Sequence, residues 1–207
     1  FDELNFWLPE AKNQYYPEPN ALFYEDLPWS MSTKSERLSV LASLSRSFLP
    51  GASPEANAPI IISPIRAVMT RTIPRRDFLK STLRLKLGDQ LSLEDAARNW
   101  VGIGYEYSNI VVQPGQFSRR GGILDLWPPS EPLPIRIEFF GDEIDTLRQF
   151  NPATQRTEAR LESIKVFPAA EAMPRFAENL EPAPETVNEN MIASLYDFPS
   201  SLMDYLP

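Results

Sequence analysis

Cysteine and histidine are both absent from the 207 residues, and glycine is scarce, with 8 in all. Without thiols no disulfide can form, and with imidazole missing too, metal sites of the zinc type lose their usual ligands. Ser–His and Cys–His nucleophile pairs are excluded for the same reason. Only a carboxylate-built magnesium or calcium site stays open. No apolar run approaches the roughly 20 residues that span a bilayer, and no signal peptide is visible. The expected compartment is the cytoplasm, with no membrane partner. Lysine and arginine total 20 against 28 acids, a net charge of −8. A nucleic-acid grip spread over a basic surface is disfavoured, because neutralising phosphates needs clustered cations.

Proline is the abundant residue, at 21. Many segments must be extended or turned, which argues against an all-helical bundle. Apolar residues at 43 % and charged residues at 23 % are close to globular averages. The length suits one large domain or two of about 100 residues. The chain starts at Phe1 without Met and stops at Leu206-Pro207. It is expected to be a piece of a longer protein.

Aromatics and prolines crowd residues 1–31, where Ala21 to Tyr24 reads as one short strand and the rest as loop. Thr33 and Glu36 fit a capping box, and Leu38, Leu41, Leu44 and Phe48 recur at helical spacing. Pro50-Gly51 should end that helix, with a surface loop over 50–58. Ile60-Ile61-Ile62 reads as a strand buried on both faces of a parallel sheet, and Ile65 to Thr70 as a short helix. This is α/β grammar, but too little of it for a complete doubly wound domain.

A second unit begins near Ser81. Thr82 to Leu87 alternates apolar and polar residues, as a half-buried strand does. Ser92 should cap a helix that buries Leu93, Ala96, Ala97, Trp100 and Val101 and is closed by Gly102 and Gly104. Strands are expected at Ile110–Val112, Gln116–Arg119, Gly122–Trp127, Arg156–Leu161 and Ile164–Phe167. The clearest hairpin joins Ile135–Phe140 to Glu143–Phe150 through Gly141-Asp142. Gly121, Gly122 and Gly141 should supply positive φ at turns. Residues 169–190 read as an acidic, Pro-rich linker, Val187–Leu195 as helical, and the tail from Asp197 as returning to the first unit.

Alternation along Ile135–Phe140 puts Ile135, Ile137 and Phe139 on one face and Arg136, Glu138 and Phe140 on the other. The outer row is a cation, an anion and an aromatic in line, and Arg120 at the preceding turn could reach it. Arginine and aromatics are enriched at interface hot spots, and a strand places them rigidly. Equally, the row could be a solvated ion pair worth about 0–1 kcal/mol, with Phe140 capping the hairpin. Outer-face substitutions should cost the fold little. Asp125, Asp142, Glu143 and Asp145 read as a solvated rim, since no spacing matches a calcium loop.

Two stretches carry a family resemblance: Gly115-Gln116-Phe117-Ser118-Arg119-Arg120-Gly121-Gly122-Ile123-Leu124-Asp125-Leu126-Trp127-Pro128 and Pro134-Ile135-Arg136-Ile137-Glu138-Phe139-Phe140-Gly141-Asp142-Glu143-Ile144-Asp145. They closely resemble the UvrA-contacting domain shared by UvrB and the bacterial transcription-repair coupling factor family. Asn20 to Trp29, Ser35 to Leu41, Ile62 to Val68 and Asn151 to Thr157 are similar to the coupling-factor branch. No Gly-Lys-Ser/Thr phosphate loop occurs. The alternative is a UvrB-type helicase-like ATPase fragment.

The resemblance implies a mixed α+β and α/β fold. Residues 1–78 would begin a partial, degenerate RecA-like α/β domain. Residues 79–168 would be an inserted, antiparallel β-rich UvrA-interaction domain, and 169–207 a linker and return segment. It implies UvrA as partner, contacted through Arg120, Arg136 and Phe140, with Glu138 at a position implicated in UvrB. It implies no catalytic residue, metal or cofactor in this piece. RNA polymerase and DNA would be met only through parts of the longer protein absent here.

Overall fold

The computed structural model describes residues 2–20, 27–49, 59–178, 180–181 and 184–206. The strand expected at Ala21–Tyr24 and the loop expected at 50–58 lie outside these. Helix α1 (Asp2–Trp7) and strand β1 (Asn13–Tyr15) occupy a stretch read as loop; both are too short for periodicity to register. Helix α2 (Met31–Ser45) then crosses to strand β2 (Ile60–Ile62), which runs parallel to β1 with Gln14 opposite Ile61. The expected order of helix, strand and short helix is therefore present, and β1 adds a parallel partner that was read as loop. The triple isoleucine is not buried on both faces, however. Among the described residues β1 is its one neighbour, and Ile60 stays 38 % exposed.

Ser30, not Thr33, caps α2: its Oγ accepts from the Thr33 backbone N–H at 3.2 Å. Three hydroxyls within four residues made the start ambiguous by spacing alone. Leu38, Leu41 and Leu44 are buried as the periodicity requires. Phe48 falls in the tighter 3-10 turn Arg46–Phe48, which rotates it away from that face.

Helices α3 (Ile65–Met69) and α4 (Arg75–Lys80) lead to strand β3 (Leu83–Lys86) and helix α5 (Leu93–Gly102). Ser92 caps α5 as expected, accepting from Asp95 N–H at 3.1 Å. Ala96 and Trp100 point inward, whereas Val101, about 100° further round, is exposed. After α5 the chain turns through Gly104 at φ +94°. A Cβ there would lie 2.4 Å from the Ala170 Cβ, so both the backbone conformation and the close approach require glycine.

Six strands form the main sheet in chain order: β4 (Glu106–Tyr107), β5 (Gln116–Arg120), β6 (Ile123–Leu126), β7 (Ile135–Phe140), β8 (Glu143–Phe150) and β9 (Thr157–Arg160). β4 runs parallel to β5, and every later pair is antiparallel. Strand β10 (Ser163–Val166) leaves this sheet to pair antiparallel with β3. Ile110–Val112 is not a strand. The Gln116 side-chain oxygen accepts from the Val112 and Gln113 backbone N–H groups, at 3.0 and 3.2 Å, and holds the segment as a loop. Gly121 and Gly141 adopt positive φ at their turns; Gly122 does not.

Helices α6 (Pro174–Ala177) and α7 (Ile192–Leu195) follow, the latter directly after a 3-10 turn at Glu189–Met191. The acidic stretch read as a linker begins inside the core: Ala169, Glu171, Ala172 and Met173 are all buried. Glu171 meets Arg37 of α2 in a two-pronged ion pair at 2.6 and 3.0 Å, with both side chains sealed from water. The Arg37 guanidinium lies between the rings of Tyr16 and Trp29, 4.1 and 4.6 Å from their centroids. Burial pushes Arg37 towards deprotonation, but the Glu171 charge and hydrogen bonds outweigh it and keep it charged. Thr72 donates to the same carboxylate. From Asp197 the tail contacts earlier elements. Ser200 bridges Thr72 through paired backbone hydrogen bonds of 2.7 and 3.0 Å, and the Tyr205 hydroxyl donates to the Ile73 carbonyl. Phe78 packs between Phe167 and Tyr205.

Candidate functional site

One face of the six-stranded sheet is core: Leu124, Leu126, Ile135, Ile137, Ile144 and Leu147 are buried. The opposite face carries the charged row. Directly paired residues share a face, so the register places Arg120, Ile123, Glu138 and Thr146 in one lateral row across β5 to β8. Ser118, Asp125, Arg136, Arg148 and Arg160 form the adjacent row across β5 to β9. Phe140 lies on the same face at the end of β7, opposite Glu143, and is 83 % exposed. Arg120, Arg136, Glu138 and Phe140 thus share one side of one sheet.

Arg136 and Glu138 do not pair with each other. The Arg136 guanidinium binds Asp125 through two hydrogen bonds of 2.6 and 2.7 Å and donates to Gln155 at 2.8 Å. It lies 4.5 Å from the centroid of the Phe150 ring. Hydrogen bonding to Asp125 is the main reason its charge is held more firmly than in water, against the opposing push of burial. Asp125 is buried, not part of a solvated rim. With its Nε and Nη2 committed, Arg136 keeps its Nη1 edge for anything outside. The expectation that it could be replaced at little cost to the fold is therefore corrected.

Glu138 accepts from the Thr146 hydroxyl at 2.8 Å and from Arg148. A β-bulge produces this arrangement. The partner on β8 jumps from Thr146 to Ile144 between Glu138 and Phe139, leaving Asp145 unpaired. A regular hairpin from the Gly141-Asp142 turn would have set Glu138 opposite Asp145, two like charges face to face. Arg136 and Arg148 do stand opposite each other, and each has its own carboxylate, Asp125 and Glu138.

Those pairings leave the face with two cations that make no ion pair with any described residue, Arg120 and Arg160. Arg120 donates only to the Asn109 carbonyl, at 3.3 Å. With Phe140, the face thus presents an exposed ring and two guanidiniums without ion pairs beside the neutralised Asp125–Arg136 and Glu138–Arg148 pairs. Sequence reasoning named four of these residues and missed Asp125 and Arg148 as their partners. Neither could be found from spacing: an irregular stretch separates β6 from β7, and the bulge resets β8. Among the described residues, no group of three or more acids gathers as a metal cluster would.

Residues 83–171, which span the turn, the bulged hairpin and this outer row, match the UvrB interaction domain. The chain carries that domain. It is also similar to bacterial transcription-repair coupling factors. It is 31 % identical to the transcription-repair-coupling factor of Bacillus subtilis over 194 residues, 94 % of this chain and 16 % of that protein. It is 32 % identical to the one of Escherichia coli over 157 residues, 73 % of this chain and 13 % of that protein. UvrABC system protein B of Acaryochloris marina is 32 % identical over 136 residues, 66 % of this chain and 20 % of that protein. The chain spans less than a fifth of the length of these coupling factors. No helix among the described residues is long and apolar enough to cross a membrane.

Proposed function

We propose that the outer face of the six-stranded sheet docks UvrA, and that the chain serves a cytoplasmic coupling factor as its UvrB-mimicking recruitment module in nucleotide excision repair. One observation carries this: Phe140, 83 % exposed, stands on the same face as the uncompensated Arg120, in a domain that matches the UvrB interaction domain. An exposed ring held at a strand end loses little entropy on docking, and the free guanidinium asks for a carboxylate across the interface. Arg136 and Glu138 present fixed edges that set register. The module performs no catalysis and binds no cofactor. Contacts with RNA polymerase and DNA belong to other parts of the full-length protein.

The test is a calorimetric titration of purified UvrA with the wild-type chain and with Phe140→Ala and Arg120→Glu variants. Saturable binding that both variants weaken, at unchanged unfolding midpoint, supports docking on this face. Undiminished binding by both rejects it.

A further inference from the structure

A second charged surface lies on residues outside the docking face. The helix α4, the turn Arg46–Phe48 and the segment around Phe198 border an open groove of about 670 Å3, lined by Phe48, Arg75, Arg76, Leu79, Lys80 and Phe198. The lining combines three apolar side chains, Phe48, Leu79 and Phe198, with three cationic ones. Arg75, Arg76 and Lys80 make no ion pair with any described residue. Arg76 and Lys80 stand four apart on one helix, a like-charge spacing that costs helix stability unless an anion neutralises it. The Arg75 guanidinium lies 4.0 Å from the centroid of the Phe48 ring. The one acid on the rim, Asp204, is committed elsewhere: its carboxylate accepts from the Ser201 backbone N–H at 2.7 Å and from its hydroxyl at 3.3 Å. Phe198 is 86 % exposed, a large ring left in water. On a chain of net charge −8, a groove with three unneutralised cations stands out.

We propose that this groove binds a short acidic protein segment with an apolar anchor, its carboxylates meeting Arg75, Arg76 and Lys80 and its anchor lying against Leu79 and Phe198. Charge complementarity selects the acids, and the apolar side chains of the lining select the anchor. Nucleic acid fits less well. The three cations lie on a six-residue helix, so at about 1.5 Å per residue they span under about 8 Å, too short for a phosphate track.

The test uses a fluorescent heptapeptide with a central phenylalanine flanked by three acids on each side, titrated with the chain and followed by anisotropy. Saturable binding is expected. The double reversal Arg76→Glu/Lys80→Glu should weaken it at least about tenfold, and Phe198→Ala by about threefold or more. Phe198→Ala removes an exposed ring, so its unfolding midpoint should match wild type and keep the result interpretable. Phe140→Ala should bind the peptide normally, which separates this surface from the UvrA-docking face. No saturable binding, or binding indifferent to all three groove substitutions, overturns the proposal. So does an oligothymidine that binds through the same residues more tightly than the peptide, because it would make the groove a nucleic-acid contact.

Discussion

Phe140→Ala and Arg136→Glu should separate docking from folding, because the two side chains sit so differently. Fully burying a phenylalanine is worth about 1.5–3 kcal/mol. With 83 % of Phe140 in water, about four-fifths of that, roughly 1.2–2.5 kcal/mol, is available to a partner. Truncation to alanine should therefore weaken UvrA binding about 8- to 70-fold, while the unfolding midpoint hardly moves. Arg136→Glu would place a carboxylate beside Asp125, whose side chain is 5 % exposed, and strip it of its two hydrogen bonds. Breaking a buried pair costs about 3–5 kcal/mol; the 15 % exposure of Arg136 brings the expectation to about 2–4 kcal/mol. For a chain of this length the thermal midpoint should fall by about 4–16 °C. Lost binding in the Arg136 variant is thus ambiguous unless titrated well below that midpoint, whereas lost binding in the Phe140 variant is not. Calorimetry against UvrA, paired with thermal denaturation of each variant, checks both halves. A Phe140 variant that binds within twofold of wild type would refute the docking assignment; an Arg136→Glu variant as stable as wild type would refute the account of the Asp125 pair.

The other expectations concern the frame. Glu171→Gln leaves the fully buried Arg37 without its counter-ion, so a loss of about 3–5 kcal/mol is expected in urea denaturation; a loss under about 1 kcal/mol would mean that the Tyr16 and Trp29 rings suffice. Gly104→Ala adds a methyl 2.4 Å from the Ala170 Cβ at positive φ, and should cost about 2–5 kcal/mol from overpacking plus backbone strain. Gly88→Ala has similar φ but nothing within 4 Å, so it should show the strain alone, about 1–2 kcal/mol; equal costs at the two sites would dismiss the close approach. Burial pushes the Glu189 carboxyl above its ordinary range, outweighing the pull of Lys34 3.0 Å away. A raised acid favours the folded state while protonated, so that stability is present below the unfolded value and is lost as pH rises through the folded one. Glu189→Gln should flatten this fall in denaturation curves run from pH 4 to pH 7, and a wild type that instead gains on the variant across that range would show the Lys34 pair to be dominant.

The alternation in Ile135–Phe140, the Gly141-Asp142 turn and the Ser92 cap are local signals, and each was legible because period and turn chemistry act within a few residues. So was the sidedness of Arg136, Glu138 and Phe140. Ser30 as the cap of α2 was obscured by neighbouring hydroxyls, and β1 was too short to show a period. Ile110–Val112 looked like a strand because β-propensity is blind to the Gln116 side chain that ties the segment into a loop. The acidic stretch from Ala169 looked like a linker because its buried charge has a partner 134 residues away, in Arg37.

By itself, then, the order of residues determined the β7–β8 hairpin and the Ser92-capped helix, that the fold mixes parallel and antiparallel strands, and which side chains face outward on β7. Only tertiary structure decided which of those charges are free. Pairing across strands depends on register, and register here depends on a bulge at Asp145 and on the irregular stretch between β6 and β7. A one-residue shift exchanges every partner on a face, so the difference between a committed Arg136 and an available Arg120 exists only once the sheet has closed.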